Sequence, residues 1–348
     1  MMRGARVFAN VGAKLGKSAA LALLAAALLW TMPAAANSPT AVVPYRIDYD
    51  GWYTVPVFID GEGPYDFIVD SGATVTVVFR KLADRRAMKL TGRPPRRILG
   101  LVGSEKLPVY RIGDVAVGGA TLPSLLSVVI EDWPDDRATP DGVLGLDLLS
   151  RYTVLFDARR QVIEFHSPVS APLEGTARWA RTDLIADDFG QGAGELYRFT
   201  ARVGPHRIPF VLDLGAAGTI INYSALRRMM SGVHIDGTRD SGFSTGTRLN
   251  DIFSETDVAR LARIRLLRVG AASWRNLLYI VFDAPIFEEL GVDRRPFGFF
   301  GSDNFTDRSF VADFPNGELR IGPEERRPRQ GMLPDRVGRP PGRSPSGE

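Results

Sequence analysis

Two aspartates sit in almost the same run of nine residues. Tyr65-Asp66-Phe67-Ile68-Val69-Asp70-Ser71-Gly72-Ala73 is answered by Ile208-Pro209-Phe210-Val211-Leu212-Asp213-Leu214-Gly215-Ala216. Each copy is an apolar run that ends in Asp, any residue, Gly, Ala. Asp is a poor strand residue and an unpaired charge is costly to bury. Two apolar strands that each deliver one carboxylate into a glycine turn therefore predict that Asp70 and Asp213 meet. Two carboxyl groups at close range cannot both ionise, so they hold one proton between them. Such a pair can take a proton from a water molecule with one member and donate a proton with the other. A single Asp-x-Gly reads as an ordinary turn; the weight comes from the pair.

The elements that position these residues repeat as well, and repeats are sought before fold is argued. Each Asp-x-Gly is followed by Thr76-Val77-Val78 or Thr219-Ile220-Ile221, then by a helix-like stretch, Phe79 to Met88 or Tyr223 to Met230. Val117-Gly118-Gly119-Ala120-Thr121 aligns with Val269-Gly270-Ala271-Ala272-Ser273, and Leu125 to Ile130 with Leu277 to Phe282. Val143-Leu144-Gly145-Leu146-Asp147 matches Phe299-Phe300-Gly301-Ser302-Asp303; ten residues later come Asp157 and Asp313, each before a turn and a strand. Gly61-Glu62-Gly63-Pro64 and Pro205-His206-Arg207 read as the hairpin turns leading into the two motif strands. The pattern predicts two β lobes of six to seven strands, each with one or two short helices, meeting near Ser167 to Ala177.

Asp70-Ser71-Gly72-Ala73 with the downstream Val143-Leu144-Gly145 resembles the pepsin and retropepsin superfamily of aspartic proteases. Asp141-Gly142-Val143-Leu144-Gly145-Leu146 is similar to the segment that threads behind the catalytic turn in that family. The resemblance spans about Tyr45 to Gly322 and implies an all-β, bilobal pepsin-like acid-protease fold, two homologous β-barrel-like lobes with short helices. It implies an aspartic endopeptidase acting on polypeptide without a cofactor, with Asp70 and Asp213 as the catalytic dyad and Ser71, Gly72 and Gly215 supporting it. In the family a Thr or Ser after each Asp bonds the opposite turn. Leu214 departs from that pattern, and a non-catalytic peptide- or partner-binding protein on the same fold is the alternative it raises. A glycosidase with two carboxylates is a further one, but it wants them roughly 5–9.5 Å apart. Ile98 to Lys106, with Gly100 and Gly103, is the flap candidate; the plain reading is an ordinary hairpin. The second half carries a longer insertion, 242–261, to which no role is given.

The ends bound the rest. Arg3, Arg6, Lys14 and Lys17 precede an apolar Ala19 to Trp30, and Ala34-Ala35-Ala36 offers a small-x-small cleavage site. That order reads as a signal peptide, 1–36, and predicts a periplasmic or secreted protein with no membrane segment after its removal; an uncleaved anchor is the alternative. The formal charge of +3 becomes −1 without those four residues, which argues against nucleic acid as partner. Arg260, Arg263, Arg265 and Arg268 are read as the wet face of a strand. The chain has no cysteine, so disulfides play no part and the core must suffice. The expected organisation is 37–170 as the first lobe, 171–322 as the second, and 323–348 as a disordered Pro- and Arg-rich tail, in a monomer. His166, His206 and His234 lack ligand spacing, so no metal is expected. Asp147, Asp157, Asp303 and Asp313 are read as turn and cap residues.

Overall fold

The computed structural model describes residues 38–48, 51–101, 103–133, 139–189, 194–230, 247–250 and 256–325; the leader, His234, half of the 242–261 insertion and most of the tail lie outside them. Three large sheets hold the described chain. The first runs, in spatial order, Arg46–Ile47, Tyr53–Ile59, Glu62–Val69, Gly142–Leu144, Val77–Phe79, Ala120–Ile130, Val109–Val117 and Lys89–Leu90. The second runs Ile185–Asp188, Glu195–Val203, His206–Leu212, Gly298–Phe300, Ile220–Ile221, Ala272–Val281, Thr256–Val269 and Thr247–Asn250. The two orders correspond strand for strand. Each sheet curls on itself, since Tyr53–Ile59 also pairs with Val109–Val117 and Glu195–Val203 with Thr256–Val269. The fold is all-β, with short helices at Arg80–Arg85 and Tyr223–Met230 where the repeat expects them.

The strand count corrects the expectation. Each curled sheet has eight strands, and a third sheet of six joins the halves: Ala41–Pro44, Val162–His166, Thr153–Asp157, Phe310–Asp313, Glu318–Ile321 and Ala180–Asp183. The final hairpin of each half would otherwise leave an open edge, and an unpaired edge invites pairing. Here the two edges satisfy one another, with Phe156 opposite Phe310 and their rings stacked at 4.4 Å. The first hairpin turn also differs. It closes on Asp60 and Gly61, at φ +50 and +80, rather than on 61–64. Asp-Gly with both φ positive is the turn whose twist suits a tight hairpin, so Gly63 and Pro64 lie within the strand Glu62–Val69.

Both motif strands are buried. Phe67, Val69, Ile208, Phe210 and Leu212 are wholly inside. Gly142–Leu144 pairs parallel with Glu62–Val69 and antiparallel with Val77–Phe79; Gly298–Phe300 does the same with His206–Leu212 and Ile220–Ile221. Each aspartate thus leaves a strand held on both sides. Among the described residues no helix is long and apolar enough to cross a membrane.

Candidate active site

Asp70 and Asp213 each follow the last residue of a motif strand and continue its ladder. The Asp70 N–H donates to the Leu144 carbonyl at 3.0 Å, and that of Asp213 to Phe300 at 3.1 Å. Beyond that point the chain turns and its amides face back. Asp70 Oδ1 accepts from the N–H of Gly72 at 2.7 Å and of Ala73 at 3.1 Å; Asp213 Oδ1 accepts from Ala216 at 3.1 Å. The two carboxyl groups are close neighbours and shift each other's titration. The glycines owe their place to this approach: a Cβ on Gly72 would lie 2.5 Å from Asp213 Oδ1, and one on Gly215 would strike the Asp70 carboxyl.

Both aspartates keep some surface toward the cleft, while protein packs round their carboxyl groups. Burial raises Asp70 above the usual carboxylate range, and the Gly72 N–H offsets part of that rise. Asp213 is raised well above the range by burial first and then by the charge of Asp70. The pair titrates as one unit that holds a proton.

Ser71 is fully buried and spans the two turns. Its Oγ donates to the Leu212 carbonyl at 2.7 Å and accepts from the Leu214 N–H at 3.1 Å. Leu214, equally buried, has no polar atom to return the bond and sits in the apolar core. The loops behind the turns are matched. Thr76 Oγ1 accepts from the Gly145 N–H and donates to Asp147; Thr219 Oγ1 accepts from the Gly301 N–H at 3.0 Å and donates to Asp303 at 3.0 Å. Asp157 and Asp313 accept backbone N–H bonds in their hairpin turns. A further correspondence is invisible in the motif itself: Gly51 packs on Ala217 and Gly194 on Thr74. Each residue so covered lies four after its Asp, so each half reaches over the turn of the other.

The pair lies in a cavity of about 790 Å³. One wall is apolar: Ile68, Val77, Ile98, Val143, Trp52 and Trp133 line it, and the two indoles lie 5.1 Å apart. The hairpin Arg96–Leu99 and Ser104–Leu107 forms another, closed by the Gly100 N–H on the Gly103 carbonyl at 2.8 Å. Gly100 lines the cavity and Gly103 supports the turn. The hairpin reaches the second half. Arg97 pairs with Glu289 at 2.5 Å, and the Ile286 N–H donates to the Leu101 carbonyl at 3.3 Å, both on the helix Pro285–Glu289. Trp52, Trp133 and this helix were not singled out from sequence. His166 bonds Glu164 at 3.0 Å and His206 opens a motif strand, both apart from the cavity lining. Among the described residues no group of three or more His, Asp or Glu could hold a metal ion.

Comparison with known proteins agrees with this geometry. No curated protein matches the chain. Residues 55–148 match the aspartyl protease family model, a segment that contains Asp70, Ser71, Gly72 and Gly145. The second half lies outside the match, but its sheet repeats the first strand for strand around Asp213. The match over 55–148 supports assignment to the pepsin- and retropepsin-like aspartic protease superfamily.

Proposed function

We propose that the protein is an aspartic endopeptidase in which Asp70 and Asp213 hydrolyse peptide bonds by activating water. The observation that carries this reading is the close approach of the two turns, with Gly72 against the Asp213 carboxyl and Gly215 against that of Asp70, both aspartates lining the cavity. A glycosidase needs its carboxyls about 5 Å apart or more, and this approach speaks against that chemistry. Asp70, with two N–H donors on Oδ1, suits the ionised partner, and Asp213, raised further, suits the protonated one. Water between them gives a proton to Asp70 and attacks the peptide carbon, while Asp213 donates its proton to the carbonyl oxygen. The resulting gem-diol then collapses: Asp70 passes its proton to the leaving nitrogen and Asp213 recovers one from a hydroxyl, so the C–N bond breaks and the pair is restored. The hairpin with Gly100 and Gly103 serves as the flap, and an extended polypeptide is the substrate that the apolar wall and the cavity fit.

Leu214 favours a second reading, a peptide-binding protein that has lost turnover. Asp70→Asn and Asp213→Asn separate the two: each abolishes cleavage of a peptide library by the folded protein if the dyad is catalytic. A parent protein that retains peptides yet cleaves none supports the binding reading. Export to the periplasm or beyond rests on the order of basic, apolar and small residues in the leader. N-terminal sequencing of recovered protein should begin at or near Asn37, and soluble cytoplasmic protein starting at Met1 refutes it.

A further inference from the structure

The near-neutral charge of the chain after its leader conceals a sharp local segregation. Residues 196–212 contain three arginines and no acidic residue, and 258–282 contain five and none. Folding brings the two segments together. Arg207 lies directly opposite Arg202, Arg202 directly opposite Arg268, and Arg268 opposite Ser273, two residues before Arg275. Arg202, Arg207, Arg268 and Arg275 are all exposed, and none has an ion pair among the described residues. Arg263, further along the same strand, donates to the Asn276 carbonyl. Near the 269–272 turn, Glu318 pairs with Arg181 and Arg320, and Asp307 and Glu324 pair with Arg308, which donates to the Ser273 carbonyl.

Neighbouring strands lie about 4.8 Å apart, so three guanidinium stems rise from one rung within about 10 Å. Like charges directly opposite one another in a sheet are destabilising. A fold that keeps such a rung, with no ion-pair partner for it among the described residues, presents an anion-binding face. The rung lies on the outer face of the curled sheet and spreads its charges across three strands, which fits an extended anionic surface better than a single small anion. Leu278, 48% exposed, lies opposite Arg263, and half-buried Leu266 lies opposite Arg275. The aromatic residues of these strands, Tyr197, Phe199, Phe210, Trp274 and Tyr279, are all buried, so the face lacks the stacking platforms that single-stranded nucleic acid uses. Basic residues with exposed leucine are the make-up of a surface that rests on anionic lipid headgroups. Arg207 lies near the start of the strand His206–Leu212 and Asp213 just past its end, about 20 Å apart. The rung is therefore remote from the carboxyl pair, and docking there leaves the cleft free.

We propose that the arginine rung Arg207–Arg202–Arg268, with Arg275, docks the protein on an anionic phospholipid membrane surface. The test is co-sedimentation of the full chain, as recovered from exporting cells, with vesicles of phosphatidylcholine and with vesicles rich in phosphatidylglycerol, at an ionic strength of about 0.1 M. The expected result is binding to the anionic vesicles only. Each Arg→Gln change should weaken it about fivefold, and the fourfold variant Arg202→Gln, Arg207→Gln, Arg268→Gln, Arg275→Gln several hundredfold. The same variant should unfold at an equal or higher temperature, because it relieves like-charge repulsion, so lost binding cannot be ascribed to lost folding. Equal binding to neutral vesicles, or equal binding by parent and variant, overturns the proposal. So does tighter retention by a single-stranded oligonucleotide than by vesicles, or release by inorganic phosphate but not by sodium chloride of the same ionic strength. The reading does not depend on peptide cleavage, and neither outcome bears on the carboxyl pair.

Discussion

Ser71 contacts the second turn at both its Leu212 carbonyl and its Leu214 amide, at 2.7 and 3.1 Å, while Leu214 offers the first turn only apolar contact. An orphaned buried donor or acceptor costs about 1–3 kcal/mol, more than a typical net hydrogen bond contributes. One hydroxyl therefore keeps the interface of the turns satisfied on the second side. The same asymmetry bears on acidity. Ala73 and Ala216 follow the glycines, where Ser or Thr in many pepsin-like enzymes lends a hydroxyl to the carboxylate. With fewer donors on the ionised form, burial dominates and both carboxyls rise, Asp213 the more. The active form keeps one proton on the pair. It forms as pH rises through the lower of the pair's two values and is lost through the upper. A raised upper value extends activity toward neutral pH. A pH–rate profile on one peptide should show activity at weakly acidic to near-neutral pH; a maximum near pH 2–3 with nothing above about 5 would sink the idea. Ala73→Ser should carry the acid limb downward, because its hydroxyl favours the charged carboxylate. The two aspartates could be read from the chain because each sits in a local motif that recurs. The greater rise at Asp213 could not, because burial, its first cause, and the Asp70 charge, its second, both depend on how the two halves pack.

The short elements around the pair differ in how far they could be read. Strands and helices with a counterpart in the other half were legible, since the repeat fixes their type and order. The landing of the Arg96–Leu107 hairpin on the helix Pro285–Glu289 was not: Arg97 and Glu289 are 192 positions apart and leave no local pattern. Their pair is about one-third exposed on each side, so it contributes at most about 1 kcal/mol. That is a suitable strength for a latch, enough to favour closure and weak enough to open. Glu289→Lys should speed hydrogen exchange at the hairpin amides about fivefold, the exponential of that energy, and the swap Arg97→Glu with Glu289→Arg should restore protection. Unchanged exchange in the single variant means the latch bears no load. The loop behind Asp213 offers a second test. Burial raises Asp303 to about 6, against the bonds from Thr219 that lower it. The folded state then binds this proton more tightly than the unfolded chain, whose carboxyl titrates near 3.9. Between these values the folded form holds more protons, so stability falls as pH rises, by roughly 3 kcal/mol in all. Below about 4 both forms are protonated and the contribution is at its fullest. Asp303→Asn should flatten this part of the stability–pH curve in denaturant titrations; an unchanged slope from pH 4 to 6 assigns it to other groups.

At the scale of the whole molecule the decisive feature is the pair of curled sheets tied by one six-stranded sheet. Duplication of the fold was legible because four blocks recur in order. The joining sheet was not, because a hairpin's sequence does not say which edge it will meet. That sheet draws its central neighbours, Thr153–Asp157 and Phe310–Asp313, from different halves, and Thr153 Oγ1 donates to Asp313 at 2.9 Å within it. The two turns are also crossed by Ser71, Gly51 and Gly194. Every one of these contacts lies within a single chain. A site built this way needs no second copy, whereas a site made of two first halves would need two chains. Mixing discriminates the arrangements. Purified Asp70→Asn and Asp213→Asn variants should each be inactive, and their equimolar mixture should stay inactive after unfolding and refolding together, because each chain supplies only one intact carboxylate to its own pair. If the working site instead forms between two first halves, the Asp213→Asn variant is fully active alone, and if it forms between the first half of one chain and the second of another, the refolded mixture recovers about one quarter of parent activity. That fraction follows from random pairing, in which half of the mixed dimers' sites and none of the like dimers' sites are intact, two-state refolding being assumed.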